Sequence, residues 1–244
     1  MQYHELRITF EFEDQANLAG IGTTALEATL WCDYVYLDQD ERKKFAAQPH
    51  EYLIEQIQFT GDENVTIAST SKAQQIRLSF NHPCKLLAWV IADPTKHGRF
   101  TGGFTGATQE ALAPLQSAKL MLNGHDRADT RVGAVFNKVV PYQANKALPD
   151  AGIYFMSFAL SPCQHAPSGS LNLSRIDAAV LALQFKAASV AGNATATSAN
   201  IANVTAPETT TTTDATSLSA LRVFAVNYNV LRIMSGMGGL AYSN

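Results

Sequence analysis

The sequence predicts an all-β sandwich. Three observations carry that reading. Apolar and polar residues alternate with a period of two in segment after segment, which is the periodicity of half-buried strands. No segment shows a long helical stripe; residues 110–119 hold a turn or two at most. Turn-forming pairs, Asn123-Gly124 and Pro149-Asp150, punctuate the alternating runs.

Residues 3–12 place Leu6, Ile8, Phe10 and Phe12 on one face and Glu5, Arg7, Thr9 and Glu11 on the other, a half-buried strand. A glycine-containing loop, 17–24, leads to a second strand, 26–37, with Leu26, Ala28, Leu30, Cys32, Tyr34 and Tyr36 on one face. Asp38 followed by Glu41 has the spacing of a capping box. It predicts a short helix through Phe45, ended by Gln48-Pro49, with the charged run Asp40-Glu-Arg-Lys-Lys44 as its solvated face. Strands resume at 52–59, 73–80, 85–92, 117–122, 132–140, 153–160 and 176–185. The closing strand begins at Leu221 and runs to Ser235 without Pro or Gly. Phe224, Val226, Tyr228 and Val230 share one of its faces, with Arg222 and Arg232 at the rims. Val223, Ala225, Asn227, Asn229, Leu231 and Ile233 share the other, so the strand is expected to be covered on both sides. Residues 52–244 therefore hold eight strands.

Trp31-Cys-Asp-Tyr-Val-Tyr-Leu37 can be laid over Ala225-Val-Asn-Tyr-Asn-Val-Leu231, each preceded by an alternating strand and a loop. If the two are equivalent, residues 1–37 are the last two strands of a first sandwich, 38–51 a linker and 52–244 a second sandwich. Two strands alone cannot bury a core. In a two-sheet jelly roll, successive connections alternate between the two ends. The long third and seventh connections, 93–116 and 186–220, then share one end with the fifth, 141–152. The third carries Phe100-Thr-Gly-Gly-Phe104, and the seventh a run of five threonines, 209–213. Loops of that length are usually functional or disordered. Removing 189–216 is expected to leave folding of an intact-length protein unharmed.

The bulk numbers narrow the function classes. The 244 residues suffice for one large or two small domains, and the net charge of −3 supplies no global field for nucleic acid. The longest apolar run, Leu86 to Ala92, is too short to span a bilayer. The first twelve residues alternate with charges and form no signal-peptide block. The three scattered cysteines, Cys32, Cys84 and Cys163, read as reduced and buried thiols.

Chemistry-bearing motifs are weak. Gly236-Met-Gly238-Gly-Leu-Ala241 matches GxGxxA after a strand, but no helix can follow to bind a pyrophosphate, and a flexible tail over a neighbouring surface is expected. His82-Pro-Cys84 and Cys163-Gln-His165 offer four zinc-type ligands at the wrong spacing; buried thiols beside exposed histidines are expected instead. His125-Asp126 lacks a nucleophile, no GxSxG elbow occurs, and no HxH supports a cupin-type metal site. No catalytic residue, cofactor site or metal site is therefore assigned. Asn64, Asn172, Asn193 and Asn203 head NxS/T sequons and are candidate glycosylation sites.

Several blocks resemble the major capsid proteins of nucleocytoplasmic large DNA viruses, of the algal-virus and iridovirus types. They are Tyr3-His-Glu-Leu-Arg7, Trp31-Cys-Asp-Tyr-Val-Tyr-Leu-Asp38, His50-Glu-Tyr-Leu-Ile-Glu-Gln56, Asp150-Ala-Gly-Ile-Tyr154, Pro167-Ser-Gly169, Ser174-Arg-Ile-Asp177 and Ala225-Val-Asn-Tyr-Asn-Val-Leu-Arg-Ile-Met-Ser-Gly236, with the ending Gly239-Leu-Ala-Tyr-Ser-Asn244. The resemblance implies a double jelly roll, of which this chain holds the complete second sandwich and the last two strands of the first. About six strands, roughly 150–200 residues by domain size, would then be missing, through truncation or a split gene. It also implies a homotrimer of pseudo-sixfold outline in the full-length protein. Such trimers contact neighbouring capsomers and minor capsid proteins in an icosahedral virion shell assembled in the host cytoplasm. An internal membrane lies below, and nucleic acid is not contacted directly. Two rival readings remain: a carbohydrate-binding jelly roll of a minor capsid or spike module, using Phe100 and Phe104, and a jelly-roll metalloenzyme.

Overall fold

The computed structural model describes residues 5, 7–12, 28–67, 73–92, 115–145, 148–149, 152–185 and 217–242. The chain divides into two compact units, residues 55–228 and residues 1–54 with 229–244.

The larger unit is a two-sheet sandwich. Its strands are β1 (His50–Ile67), β2 (Ala73–Leu78), β3 (Pro83–Ala92), β4 (Leu115–Leu122), β5 (His125–Asp126), β6 (Arg131–Val132), β7 (Ile153–Ser157), β8 (Leu171–Asn172), β9 (Ala179–Phe185) and β10 (Ser217–Met234). One sheet has the order β1-β10-β3-β7, with β8 pairing β3; the other has the order β2-β9-β4-β5, with β6 pairing β4. From β1 to β4 each successive strand changes sheet, and β7, β9 and β10 alternate again. That winding is a jelly roll.

The core forms where the alternating faces meet. Leu87, Trp89 and Ile91 of β3, Tyr154 of β7 and Leu221, Val223 and Ala225 of β10 face Leu115, Ala118 and Leu120 of β4 and Ala179, Leu181, Leu183 and Phe185 of β9. Strand β9 shows the pattern most plainly, with every odd-numbered residue buried. The Tyr154 hydroxyl reaches the other sheet and accepts from the Leu115 N–H at 3.3 Å. Asn123 and Gly124 both take positive φ, at 51° and 81°, and join β4 to β5 in the two-residue turn expected of that pair.

The segment 132–140, expected as a strand, is helical. A π-helical turn (Val135–Val139) runs into α2 (Val140–Asn145). Its valines suggested β structure, yet the buried positions are 133, 136, 137 and 141, spaced for a helix. Phe136 packs on the Trp89 ring at 5.4 Å between centroids, and the Asn137 amide donates to the Ile153 carbonyl at 2.8 Å. Gly133 is required by close packing, since a Cβ there would lie 2.4 Å from the Leu115 carbonyl oxygen. The strand expected over 153–160 ends at Ser157, where the Ser157 hydroxyl donates to the Ala159 carbonyl at 2.6 Å. A 3-10 turn (Leu173–Arg175) precedes β9, which starts three residues later than expected.

The smaller unit contains α1 (Gln39–Ala47), the first residues of β1, the last of β10, and β11 (Met237–Leu240). Asp38 caps α1 as expected, its carboxylate accepting from the Gln39 N–H at 2.7 Å. No residue of α1 is buried, so the charged run is a solvated face. The glycine-rich ending is no loose tail. Ser235 and Gly236, at φ 51° and 77°, turn the chain so that β11 pairs with β10, Leu231 opposite Leu240. The strands expected over 3–12 and 26–37 are not formed by their described residues, 7–12 and 28–37. Phe10, Phe12, Trp31 and Tyr36 are exposed there. A strand needs a ladder partner and a face to pack on, and two such segments do not supply them to each other. The connections 93–114 and 186–216, with Phe100, Phe104 and the threonine run, lie outside the described residues.

Candidate functional site

The chemistry of the sandwich gathers on the outer face of its β1-β10-β3 flank. A bulge builds it. Val226 pairs with Leu86 but Asn227 pairs with Cys84, leaving Lys85 as the extra residue. The bulge keeps Cys84 in the core and turns Lys85 to the other face. There the Lys85 side chain, 3% exposed, is ion-paired with Glu55 of β1, and its ammonium lies 5.4 Å from the centroid of the Tyr228 ring. His165 Nδ1 approaches the same Glu55 carboxylate at 3.5 Å. Further along β10, Phe224 stacks on Phe59 at 4.9 Å. Arg222 donates two hydrogen bonds to Asp62, at 2.8 and 2.9 Å, and that hydrogen bonding raises the guanidinium pKa. The outer face of β10 thus carries ion pairs and a ring stack with its sheet neighbour β1. The expected rim position of Arg222 holds. Lys85 was missed because it stands at the head of an apolar run, Leu86 to Ala92, and only the bulge sets its direction.

In the smaller unit, Arg232 donates to Glu51 at 2.7 Å, and Phe45, His50 and Tyr52 form a stacked series. Leu37, Arg42, Phe45, Tyr52, Ile233 and Gly236 are among the residues lining a groove of about 750 Å³ there. Met234, Met237, Leu240 and Tyr242 are exposed on the hairpin.

The motifs singled out in the sequence separate. His82 and Cys84 are both buried, against the expectation of an exposed histidine; Ser174 Oγ accepts from the His82 N–H at 2.7 Å, and His82 takes φ 67°. The Cys84 thiol donates to the Leu86 carbonyl, and burial pushes its pKa up to about 12. Cys32 and Cys163 are free and exposed, which corrects the expectation that all three thiols are buried. Neither belongs to the core cluster formed by the described residues. Among the described residues, no group of three His, Cys, Asp or Glu is placed to hold a metal ion. Asp126 accepts from Lys119 at 3.0 Å, which makes His125-Asp126 part of a surface turn. Of the sequons, Asn64 is exposed on β1. Asn172 Oδ1 accepts from the Ser174 N–H at 3.1 Å, so both ends of that sequon hold backbone. Asn193 and Asn203 lie outside the described residues.

The larger unit is thus a jelly roll with ion pairs and a ring stack along one flank. The model of the family described as large eukaryotic DNA virus major capsid protein matches residues 41–239. The chain belongs to that family. It is 46% identical to the major capsid protein of Paramecium bursaria Chlorella virus 1, over 100% of this chain and 62% of that protein. To the major capsid protein of Pyramimonas orientalis virus it is 42% identical, over 100% of this chain and 56% of that protein. In a structure of the PBCV-1 virus capsid, a chain of 46% identity superposes with a TM-score of 0.68, over 86% of this chain and 56% of that one. The chain thus spans about three-fifths of the length of the relatives it matches.

Proposed function

We propose that this chain is part of a structural major capsid protein, and that it works by surface tiling without a catalytic step. The observation that carries the reading is the match in sequence and fold together: 46% identity across a jelly roll that superposes on a capsid chain. Residues 52–244 act as the second sandwich of a double jelly roll, 1–37 as the closing strands of the first, and 38–51 as the linker. Three full-length subunits form a capsomer of pseudo-sixfold outline in the virion shell, burying their flanks against each other under closed symmetry. Exposed apolar groups at Phe10, Phe12, Trp31, Tyr34 and Tyr36 support the assignment of 1–37, since a first sandwich would cover them. Neighbouring capsomers and minor capsid proteins meet the trimer's rim, and an internal membrane lies beneath it. Asn64, exposed, is open to glycosylation, whereas Asn172 is engaged in structure.

The test joins the chain to the N-terminal part of the Paramecium bursaria Chlorella virus 1 relative and examines the product by light scattering and cryo-electron microscopy. A trimer with a six-sided outline is expected. A well-folded monomer at all concentrations overturns the reading.

A further inference from the structure

A cavity of about 190 Å³ opens between β4, the 127–131 segment, the π-helical turn and β7. Its floor is apolar: Leu120, Val135, Phe136, Val140, Met156 and Phe158. Its rim is charged, with Lys119, Arg127 and Arg131 against Asp129. Lys119 is neutralised by Asp126 at 3.0 Å. Arg127 and Arg131 form no ion pair among the described residues, so one cationic charge at the mouth is left over after Asp129 is counted. The wall is a π-helical turn, a wider backbone form that recurs at functional positions. A second cavity of similar volume, lined by Leu86, Pro141, Phe155, Pro162 and others, has no charged residue at all. The charge at the first mouth is therefore a property of that site.

We propose that the cavity between β4, β7 and the π-helical turn binds a small apolar carboxylate. The ligand has a phenyl- or hexyl-sized body and an anionic head. A cavity of about 150 Å³ lined by Leu, Ile and Phe already holds benzene, so the volume fits one ring or a six-carbon chain. Leu120 and Phe136 are almost wholly buried and give the body a dry wall. Guanidinium groups present paired donors that match a carboxylate. The arginines sit on an exposed segment, so the head stays partly solvated and the preference for an anion is modest.

The test uses three probes of one shape: 3-phenylpropionate, 3-phenylpropanol and 3-phenylpropylammonium. The full chain is labelled with carbon-13 at its methionine methyls, of which Met156 alone lines this cavity. The carboxylate is expected to move the Met156 resonance saturably in the millimolar range, leaving Met234 and Met237 in place. The alcohol binds about threefold more weakly, the scale of one exposed ion pair, and the ammonium more weakly still. Arg127→Glu with Arg131→Glu reverses the order of carboxylate and ammonium; Arg131→Gln alone, should the double variant not fold, removes the preference for carboxylate over alcohol. A Met156 resonance that never moves overturns the proposal. So do three probes that bind alike, or a carboxylate preference that survives the loss of the arginines.

Discussion

At the scale of single residues, the flank turns on Lys85. An ammonium taken out of water is costly unless its partner is near, and Glu55 is that partner. Glu55→Gln leaves the charge uncompensated. It is expected to cost about 3 kcal/mol, the low end for a broken buried pair because the Glu55 side chain keeps some solvent. Adding Lys85→Met should recover most of that loss, and urea unfolding of the four proteins of the cycle measures it. Tyr228→Phe is expected to be near neutral, since the buried Tyr228 hydroxyl has no partner among the described residues. Tyr228→Asp should abolish soluble expression by placing a carboxylate at a buried position of the sheet face. Burial also sets an alkaline limit. It pushes the Cys84 thiol and the Tyr154 phenol up to about 12, from ordinary values of 9.0 and 10.0. Both groups stay protonated in the fold after the unfolded chain has begun to ionise. Their contribution is therefore whole below pH 9 and drains away between pH 9 and pH 12, at about 1.4 kcal/mol per pH unit for each group titrating. Cys84→Ala with Tyr154→Phe should flatten that decline in melts taken across the range. The burial of Cys84 was legible in the sequence, whereas the burial and pairing of Lys85 were not, because only the bulge sets the direction of Lys85.

At the scale of elements, local chemistry and packing divide the work. The hairpin turns at Asn123-Gly124 and Ser235-Gly236 both use positive φ at two successive residues. Asn tolerates that conformation better than Ser, so Ser235→Asn is expected to add about 0.5 kcal/mol and raise the melting temperature slightly. The π-helical turn depends instead on a neighbour. Gly133→Ala drives a methyl against the Leu115 carbonyl and should cost about 1–3 kcal/mol, checked by the same unfolding assay. The alternating runs that became β2, β3, β4, β9 and β10 were legible because a period of two needs no partner to be seen. The helix at 135–145 was not, since its valines favour strands, and contacts with distant residues such as Trp89 and Ile153 reward the helical arrangement. The run at 28–37 shows the converse: an alternating pattern with no described strand.

At the scale of the whole molecule, the sandwich and the remainder of the chain behave differently. The larger unit encloses its own core between two sheets, whereas residues 7–12 and 28–37 expose rings that a folded domain would hide. The chain by itself is expected to self-associate with rising concentration in sedimentation velocity. Joined to a first jelly roll, it should give a discrete trimer. A monodisperse chain alone would count against the assignment of 1–37. The sequence by itself determined the predominantly β class, seven of the eight strands expected over 52–244, the cap at Asp38, the Asn123-Gly124 turn and the family resemblance. Those rest on periodicity, local backbone preference and the order of residues, all properties of the chain before it folds. Only the tertiary structure decided that 135–145 is helical, that the ending folds back as β11, that Lys85 meets Glu55 beneath Tyr228, and that a charged mouth stands over an apolar cavity. Each of these depends on which distant surfaces come into contact, and a bulge of one residue is enough to change the answer.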